Sequence, residues 1–190
     1  MRPSFPTVVL LVVSMVAAGL LGQFRDSAMD DFQKHGELGR VTEMDAGQTI
    51  QPLEQSFGQF AVSPSGSNSL QSPVRLVSLR FEFTTPGRKD LHGVRCFLRL
   101  SGDTIAEALE DDALRFPAPG FRSTGTVLFE VTRENLVGAK VACVPTGVIV
   151  YREPELLMDL GVTSRNIESI WTNSAFKRVN WSESSEEALP

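Results

Sequence analysis

The sequence predicts a mainly β protein, a small antiparallel β-sandwich or partly open barrel with short peripheral helices. Three observations carry this prediction. At least five segments are predicted strands, most of them because apolar and polar residues alternate, turn-forming residues separate these segments, and both cysteines fall on apolar positions within them. A chain of 190 residues with 42% hydrophobic and 22% charged residues has the composition of a globular protein. This composition excludes collagen, a coiled coil and a wholly disordered chain.

The predicted strands have a period of two residues, which places every second side chain on one face. The pattern begins with Val77, Leu79, Phe81 and Phe83, which alternate with polar residues. It recurs in three further segments, residues 94–100, 127–131 and 137–143, and the apolar residues 148–151 form another candidate strand. Because a turn-rich connection separates the first two strands, we expect them to form an antiparallel pair.

Short helices are predicted at the edges of this core. Thr104 and Glu107 have the spacing of a capping box, in which each side chain bonds the other's backbone amide, and this predicts a helix over 105–114. Two more helices are predicted by apolar residues three and four positions apart, one beginning at Pro154 and one at Ser164.

The N-terminal segment has the pattern of a secretory signal peptide. No charged residue lies between Arg2 and Arg25, and the apolar residues 8–16 precede the small residues around Ala18. A basic start, an apolar stretch of about 7–15 residues and small residues at the cleavage site are typical of such peptides, so we expect cleavage after Ala18. The alternative is a retained membrane anchor that reaches residue 24, because a spanning helix needs about 20 apolar residues. Both alternatives place the rest of the chain outside the cytoplasm.

Composition divides the remaining chain into four parts. The stretch around 63–69 is rich in Ser and Gly and offers nothing to bury, and the last residues are acidic. With the signal peptide, the predicted order is 1–18 signal peptide, 19–72 polar and partly disordered extension, 73–152 β-sandwich core, 153–181 C-terminal helical segment and 182–190 unstructured acidic tail.

Cys96 and Cys143 are predicted to form a disulfide. Each lies on the apolar side of its own strand, so both side chains should point into the core. Two inward cysteines on different strands of an exported protein favour a disulfide over two free thiols. No Trp lies between them, where an immunoglobulin domain places its core Trp. We therefore expect a sandwich of another kind.

Arg80, Arg95 and Arg99 lie on the outward positions of the first two predicted strands. Guanidinium groups gathered on one sheet face suit the recognition of carboxylate, phosphate or sulfate. Four further basic residues could extend this surface, namely Arg75, Arg88, Lys89 and Arg122. The alternative is an ordinary solvated face with glutamates interspersed.

The C-terminal segment carries Trp171, Phe176 and Trp181 beside Lys177 and Arg178. An aromatic and basic segment of this kind suits docking to a partner groove or to a membrane interface. The alternative is that the aromatic rings pack on the sandwich itself.

Other chemistry finds little support in the sequence. Asn180 begins the chain's N-glycosylation sequon, which has meaning if the source is eukaryotic. His35 and His92 share no metal-ligand spacing, and neither a Gly-x-Ser-x-Gly elbow nor a nucleotide-binding glycine pattern occurs. We expect no catalytic residues, metal or cofactor. The net charge of −5 argues against nucleic-acid binding.

The sequence thus predicts an exported, non-catalytic β-sandwich module. It would bind a protein or a glycan, or serve as a structural subunit. The alternative is an accessory subunit of a membrane assembly, held by an uncleaved N-terminal helix. In both cases contact with a membrane is expected through the N-terminal segment alone.

Overall fold

The computed structural model describes residues 33–45, 47–62, 69–88, 91–101, 104–109, 114–146, 154–180 and 184–190. The described residues from 34 onward belong to one compact unit. The predicted signal peptide, the alternative anchor, residues 63–68 of the predicted linker and the predicted strand 148–151 lie outside the described residues. No helix in the described ranges is long and apolar enough to cross a membrane.

Two packed sheets and two short helices make up the described part of the chain. The strands are β1 (Gln33–Gly36), β2 (Thr42–Asp45), β3 (Gln48–Val62), β4 (Ser69–Thr85), β5 (Gly93–Arg99), β6 (Ile105–Glu107), β7 (Phe121–Val131), β8 (Lys140–Thr146), β9 (Glu155–Asp159), β10 (Arg178–Asn180) and β11 (Ser185–Ala188). The helices are α1 (Arg133–Leu136) and α2 (Ile167–Asn173).

The fold is a small β-sandwich whose sheets do not close into a barrel. One sheet has the strand order β1-β9-β8-β5-β6, and the other has the order β10-β3-β4-β7-β11, with β2 also paired to β3. Antiparallel pairing dominates, although β10 lies parallel to β3. This confirms the mainly β, antiparallel sandwich that the alternating pattern predicts.

The core lies between the two sheets and follows the predicted alternation. Val77, Leu79, Phe81 and Phe83 of β4 are fully buried against apolar residues of the five-stranded sheet. A second, smaller cluster lies on the outer face of the six-stranded sheet and contains Ala61, Leu76, Leu128 and Val179. That outer face is therefore apolar at one end and polar at the other.

The described part of the predicted extension belongs to the fold. Residues 33–62 form β1, β2 and the 15-residue β3, which pairs with β4 along most of its length. The expected boundary at residue 73 falls inside β4, so the division between extension and core is wrong for these residues. Two register shifts in β3, at Pro52/Glu54 and at Gly58/Phe60, interrupt its alternation. A shift of one residue moves the following side chains to the other face, which hides the strand in the sequence.

Two of the predicted helices are strands. Of the helix predicted over 105–114, residues 105–107 form β6, because pairing with the edge of β5 overrides the local helix preference of the capping-box sequence, and residues 110–113 lie outside the described residues. Residues 155–159 form β9, which lies between β1 and β8 and is buried from Leu156 to Met158. A strand buried on both faces gives a continuous apolar run, which periodicity does not distinguish from a helix.

Of three other predictions, one is confirmed and two are wrong. The helix predicted from Ser164 is confirmed as α2. The strands predicted to pair around the turn at 84–93 lie in different sheets, as β4 and β5. The acidic tail predicted to be unstructured forms β11, which adds to the edge of β7.

Candidate functional site

The predicted disulfide joins Cys96 of β5 to Cys143 of β8. The two cysteines face each other directly in the antiparallel pair, with 4.1 Å between their Cα atoms, and both are buried. The bond therefore links neighbouring strands of one sheet, whereas the immunoglobulin disulfide links two sheets. Such a bond is typical of an oxidising, extracytoplasmic environment.

The three predicted surface arginines do not share one face. Arg80 lies on β4 in the six-stranded sheet, whereas Arg95 and Arg99 lie on β5 in the five-stranded sheet. Arg99 donates a 2.5 Å hydrogen bond to the carboxylate of Glu155, and its guanidinium lies 5.8 Å from the ring of Phe97. Arg95 is exposed. The expected arginine cluster is therefore divided between two separate surfaces.

Arg75, suggested as an extension of that surface, has a structural role. Its guanidinium lies 4.6 Å from the centre of the Trp171 ring and donates to the Trp171 carbonyl oxygen at 2.8 Å. It also donates to the hydroxyl of Ser174 at 2.9 Å. These contacts hold the end of α2 against β4. Arg88 is exposed, and Lys89 lies outside the described residues.

Arg122, the remaining member of the suggested extension, lies on the same sheet face as Arg80 and lines the same groove. The register of β4 and β7 places Glu82 opposite Thr124 and Thr84 opposite Arg122, so Arg80 and Arg122 share the outer face of the six-stranded sheet. A polar groove of about 250 Å³ opens there. Its lining is Leu53, Arg80, Glu82, Arg122, Thr124, Ser185 and Glu187. We call it the outer groove.

Within the outer groove, the Nε atom of Arg80 is buried and has no hydrogen-bond partner. Arg80 forms no ion pair with any residue of the described part of the chain. A buried donor without an acceptor is rare in folded proteins, because it loses its bond to water without replacement. Arg80, which lines the groove, therefore carries an unsatisfied donor beneath the surface.

Arg122 is engaged by the strand at the edge of the sheet. Its Nη2 atom lies 2.8 Å from a carboxylate oxygen of Glu187 on β11, and Nε donates to the same oxygen at 3.2 Å. Hydrogen bonding and charge attraction from Glu187, with a smaller contribution from Glu82, raise the pKa of Arg122 above its ordinary value. The two arginines and two glutamates of the outer groove balance in charge.

The aromatic residues of the predicted docking segment differ in exposure. Trp171 is half-buried and packs against the core. Phe176 is 82% exposed in a turn and has a positive φ of 62°, which is uncommon for an aromatic residue. Trp181 lies outside the described residues, and Asn180 of the sequon ends β10.

The remaining candidate groups stand apart from the outer groove. His35 and His92 are exposed on different segments. Among the residues that the structure describes, no group of three His, Cys, Asp or Glu side chains stands close enough to hold a metal ion.

The groove contains residues that the sequence prediction missed. The sequence pattern does not identify Thr124, Ser185 or Glu187 as candidate site residues, and it predicts no structure for the segment that forms β11. All four residues of β11 are exposed, so this strand carries no apolar alternation. Alternation predicts that Arg80 and Arg122 both point outward from their strands. That they share one face follows from the pairing of β4 with β7.

Comparison with known proteins adds a single structural likeness. No family model matches the chain, and no curated protein matches it. Among solved structures, the yjhA protein from Bacillus subtilis is similar, with a TM-score of 0.49 and 10% sequence identity. The similarity covers 65% of this chain and 98% of that one.

Proposed function

We propose that the chain is an exported, non-catalytic β-sandwich module that binds an acidic group of a protein partner in the outer groove. The observation that carries the proposal is the buried Nε atom of Arg80, which lacks an acceptor in a groove rich in polar groups. A carboxylate in the groove would give this guanidinium an acceptor once the side chain turns its donors toward the groove, and arginine suits such bidentate recognition.

The chemistry of the outer groove favours binding over catalysis. Its cationic groups are arginines, which stay protonated and do not exchange protons near neutral pH. The raised pKa of Arg122 strengthens that tendency. Hydroxyl groups of Thr124 and Ser185 lie 2.9 Å apart and are therefore already engaged with each other. The groove thus resembles a recognition surface with fixed charges.

The arginines of the five-stranded sheet support the proposal less well. Arg99 is engaged by Glu155, and Arg95 lies exposed on the surface. A solvated arginine gains little from an added ion pair, because water already satisfies it. The outer groove is therefore the better candidate.

Export is supported by the disulfide and by the N-terminal pattern. The second candidate, an accessory subunit anchored in a membrane, is favoured by the uncharged stretch between Arg2 and Arg25, if it is retained. Sequencing of the native N-terminus separates the two. A chain beginning at Gly19 supports secretion, and one that still begins at Met1 in detergent-extracted membranes supports the anchored subunit.

The binding proposal is tested with small anionic probes. We expect an N-acetylated Glu-Glu dipeptide to shift the amide resonances of Arg122 and Thr124 in a saturable way. Substitution Arg80→Gln should weaken this binding about tenfold or more, because a charge-assisted hydrogen bond contributes about 1.5–3 kcal/mol. The matched control Arg95→Gln, on the other sheet, should leave the affinity unchanged.

Two results would contradict this proposal. The first is the same affinity in the Arg80→Gln variant as in the unsubstituted chain. The second is the absence of any shift with the dipeptide while a sulfated disaccharide binds, which would assign the groove to a glycan.

A further inference from the structure

The strand β11 is held to the sheet in an unusual way. All four of its residues are exposed, so it contributes no apolar side chain to the core. Its contacts are the backbone pairing of Ser185 to Ala188 with β7, the hydrogen bond between the hydroxyls of Ser185 and Thr124, the ion pair of Glu187 with Arg122 and a longer ion pair of Glu186 with Arg115 at 3.8 Å. Backbone bonds and exposed charges therefore hold this strand without help from apolar packing.

The neighbouring strand β7, in contrast, is mostly buried. β7 is buried continuously from Ser123 to Phe129 and pairs along its whole length with β4. On its other edge it receives β11 at Phe121–Thr124, and the amide of Leu109 donates to the carbonyl oxygen of Leu128 at 2.8 Å. An uncovered strand edge is a template for another extended segment.

Charge defines which segment would fit this edge. With β11 in place, Arg80 and Arg122 are balanced by Glu82 and Glu187, and Arg115 faces Glu186. When β11 leaves, the carboxylates of Glu186 and Glu187 leave with it, while Arg80, Arg115 and Arg122 remain, so the edge loses two negative charges and no positive one. The uncovered edge of β7 is therefore basic and complementary to an acidic strand.

We propose that the edge of β7 at Phe121–Thr124 is a docking site for an extended acidic segment of a partner protein, and that β11 occupies this site as an intramolecular substitute. This is β-strand addition, in which backbone bonds supply affinity and side-chain contacts supply specificity. The inference rests on the proposed binding function and names its partner. The recognised feature is two consecutive carboxylates, one toward Arg115 and one toward Arg122.

The register identifies Glu187 as the central residue of the contact. The amide of Leu189 donates to the carbonyl oxygen of Gly120 at 2.8 Å. Since amides alternate in direction along a strand, that of Glu187 also points to β7, whereas that of Ala188 points away. Glu187 therefore contributes both a backbone bond and the ion pair with Arg122.

This geometry provides a matched pair of proline variants in the full chain. Glu187→Pro removes the backbone donor and the carboxylate, so it should release β11. Ala188→Pro keeps both, because proline is tolerated where the amide of an edge strand faces solvent. The probe is a labelled peptide with the sequence of residues 184–190, SSEEALP. Its control is the uncharged analogue SSQQALP.

We expect SSEEALP to bind the Glu187→Pro chain at least tenfold more tightly than the unsubstituted chain or the Ala188→Pro chain, because an occupied site lowers apparent affinity. The amides of Phe121 to Thr124 should shift on binding. SSQQALP should bind at least tenfold more weakly than SSEEALP. If Glu187→Pro does not fold, the double variant Glu186→Gln/Glu187→Gln retains the backbone of β11, and SSEEALP should displace its weakened strand.

Three outcomes would overturn the inference. These are the absence of binding at millimolar peptide, equal binding of the two peptides, and a concentration-dependent dimer of the Glu187→Pro chain, which would make a second copy the occupant. Failure here is distinguishable from failure of the proposed function. The dipeptide test at Arg80 uses the chain with β11 in place, whereas the peptide test requires β11 to leave.

Discussion

Two antiparallel strand pairs of this molecule differ in what holds them together. The pair β5–β8 aligns seven residues on each strand, buries its inward side chains and carries the Cys96–Cys143 disulfide at its centre. The pair β7–β11 aligns four residues, and β11 contributes exposed side chains and ion pairs. A covalent bond closes the first pair, whereas backbone hydrogen bonds and polar side-chain contacts hold the second.

This difference assigns separate roles to the two sheets. Buried apolar area and a disulfide stabilise a fold, whereas exposed ion pairs contribute little to stability. Elements used in binding belong to the less stable part of a structure, because they must open. Under the proposed function, the five-stranded sheet would be the more stable half, and the outer face and edge of the six-stranded sheet would be the half that binds.

The largest expected effect tests the closed pair. Substitution Cys96→Ala/Cys143→Ala removes a bond between residues 47 positions apart in the sequence. We expect the free energy of unfolding to fall by about 2–5 kcal/mol, the usual consequence of losing a native disulfide. Urea denaturation measures this change.

Reduced, unsubstituted protein is the control for that experiment and should show a similar loss. The variant should still bind SSEEALP after Glu187→Pro is added, because the two pairs lie in different sheets. Free thiols found by alkylation of the denatured, unreduced protein would contradict the assignment of the bond.

A smaller effect is expected at the opposite edge of the six-stranded sheet. A Cβ atom at Gly58 would lie 2.1 Å from the backbone oxygen of Lys177, which also accepts a hydrogen bond from the amide of Gln59 at 2.9 Å. Gly58→Ala should therefore push β10 away and lower the free energy of unfolding by about 1–3 kcal/mol. Close packing thus secures the β10 edge, in contrast to the β11 edge.

Gly87→Ala is the matched control for this substitution. Apart from Gly87 and its two chain neighbours, no described residue has a heavy atom within 4 Å of the position where its Cβ would stand. Its stability should stay within about 0.5 kcal/mol of the unsubstituted chain. Equal stability of the two alanine variants would show that the close approach at Gly58 does not secure β10.

The sequence predicts a strand correctly where apolar and polar residues alternate without interruption. Strands that bury one face without interruption, such as β4 and β5, were predicted from their period of two. The disulfide followed from the parity of the two cysteines. In β3 two register shifts interrupt the two-residue alternation, so the sequence predicts a partly disordered extension there and not a strand.

The candidate site was harder to predict because it depends on pairing between distant strands. The outward position of Arg80 was evident from its neighbours in sequence, but its proximity to Arg122 required the pairing of β4 with β7. Glu187 and Ser185 gave no signal, since an exposed edge strand needs no apolar residue. Whether such a segment forms a strand depends more on the neighbouring strand with which it pairs than on its own residues.

The most direct test of the central claim compares hydrogen exchange at the two strand pairs in the native, unsubstituted chain. We predict that the amides of Glu187 and Leu189 exchange at least about a hundredfold faster than those of Phe97 and Ala142, which lie beside the disulfide. The β11 amides would then exchange through local opening, while the β5–β8 amides would require global unfolding. Equal protection of the two sets, with β11 exchanging through global unfolding alone, would contradict the division of the molecule into a closed pair and an opening pair.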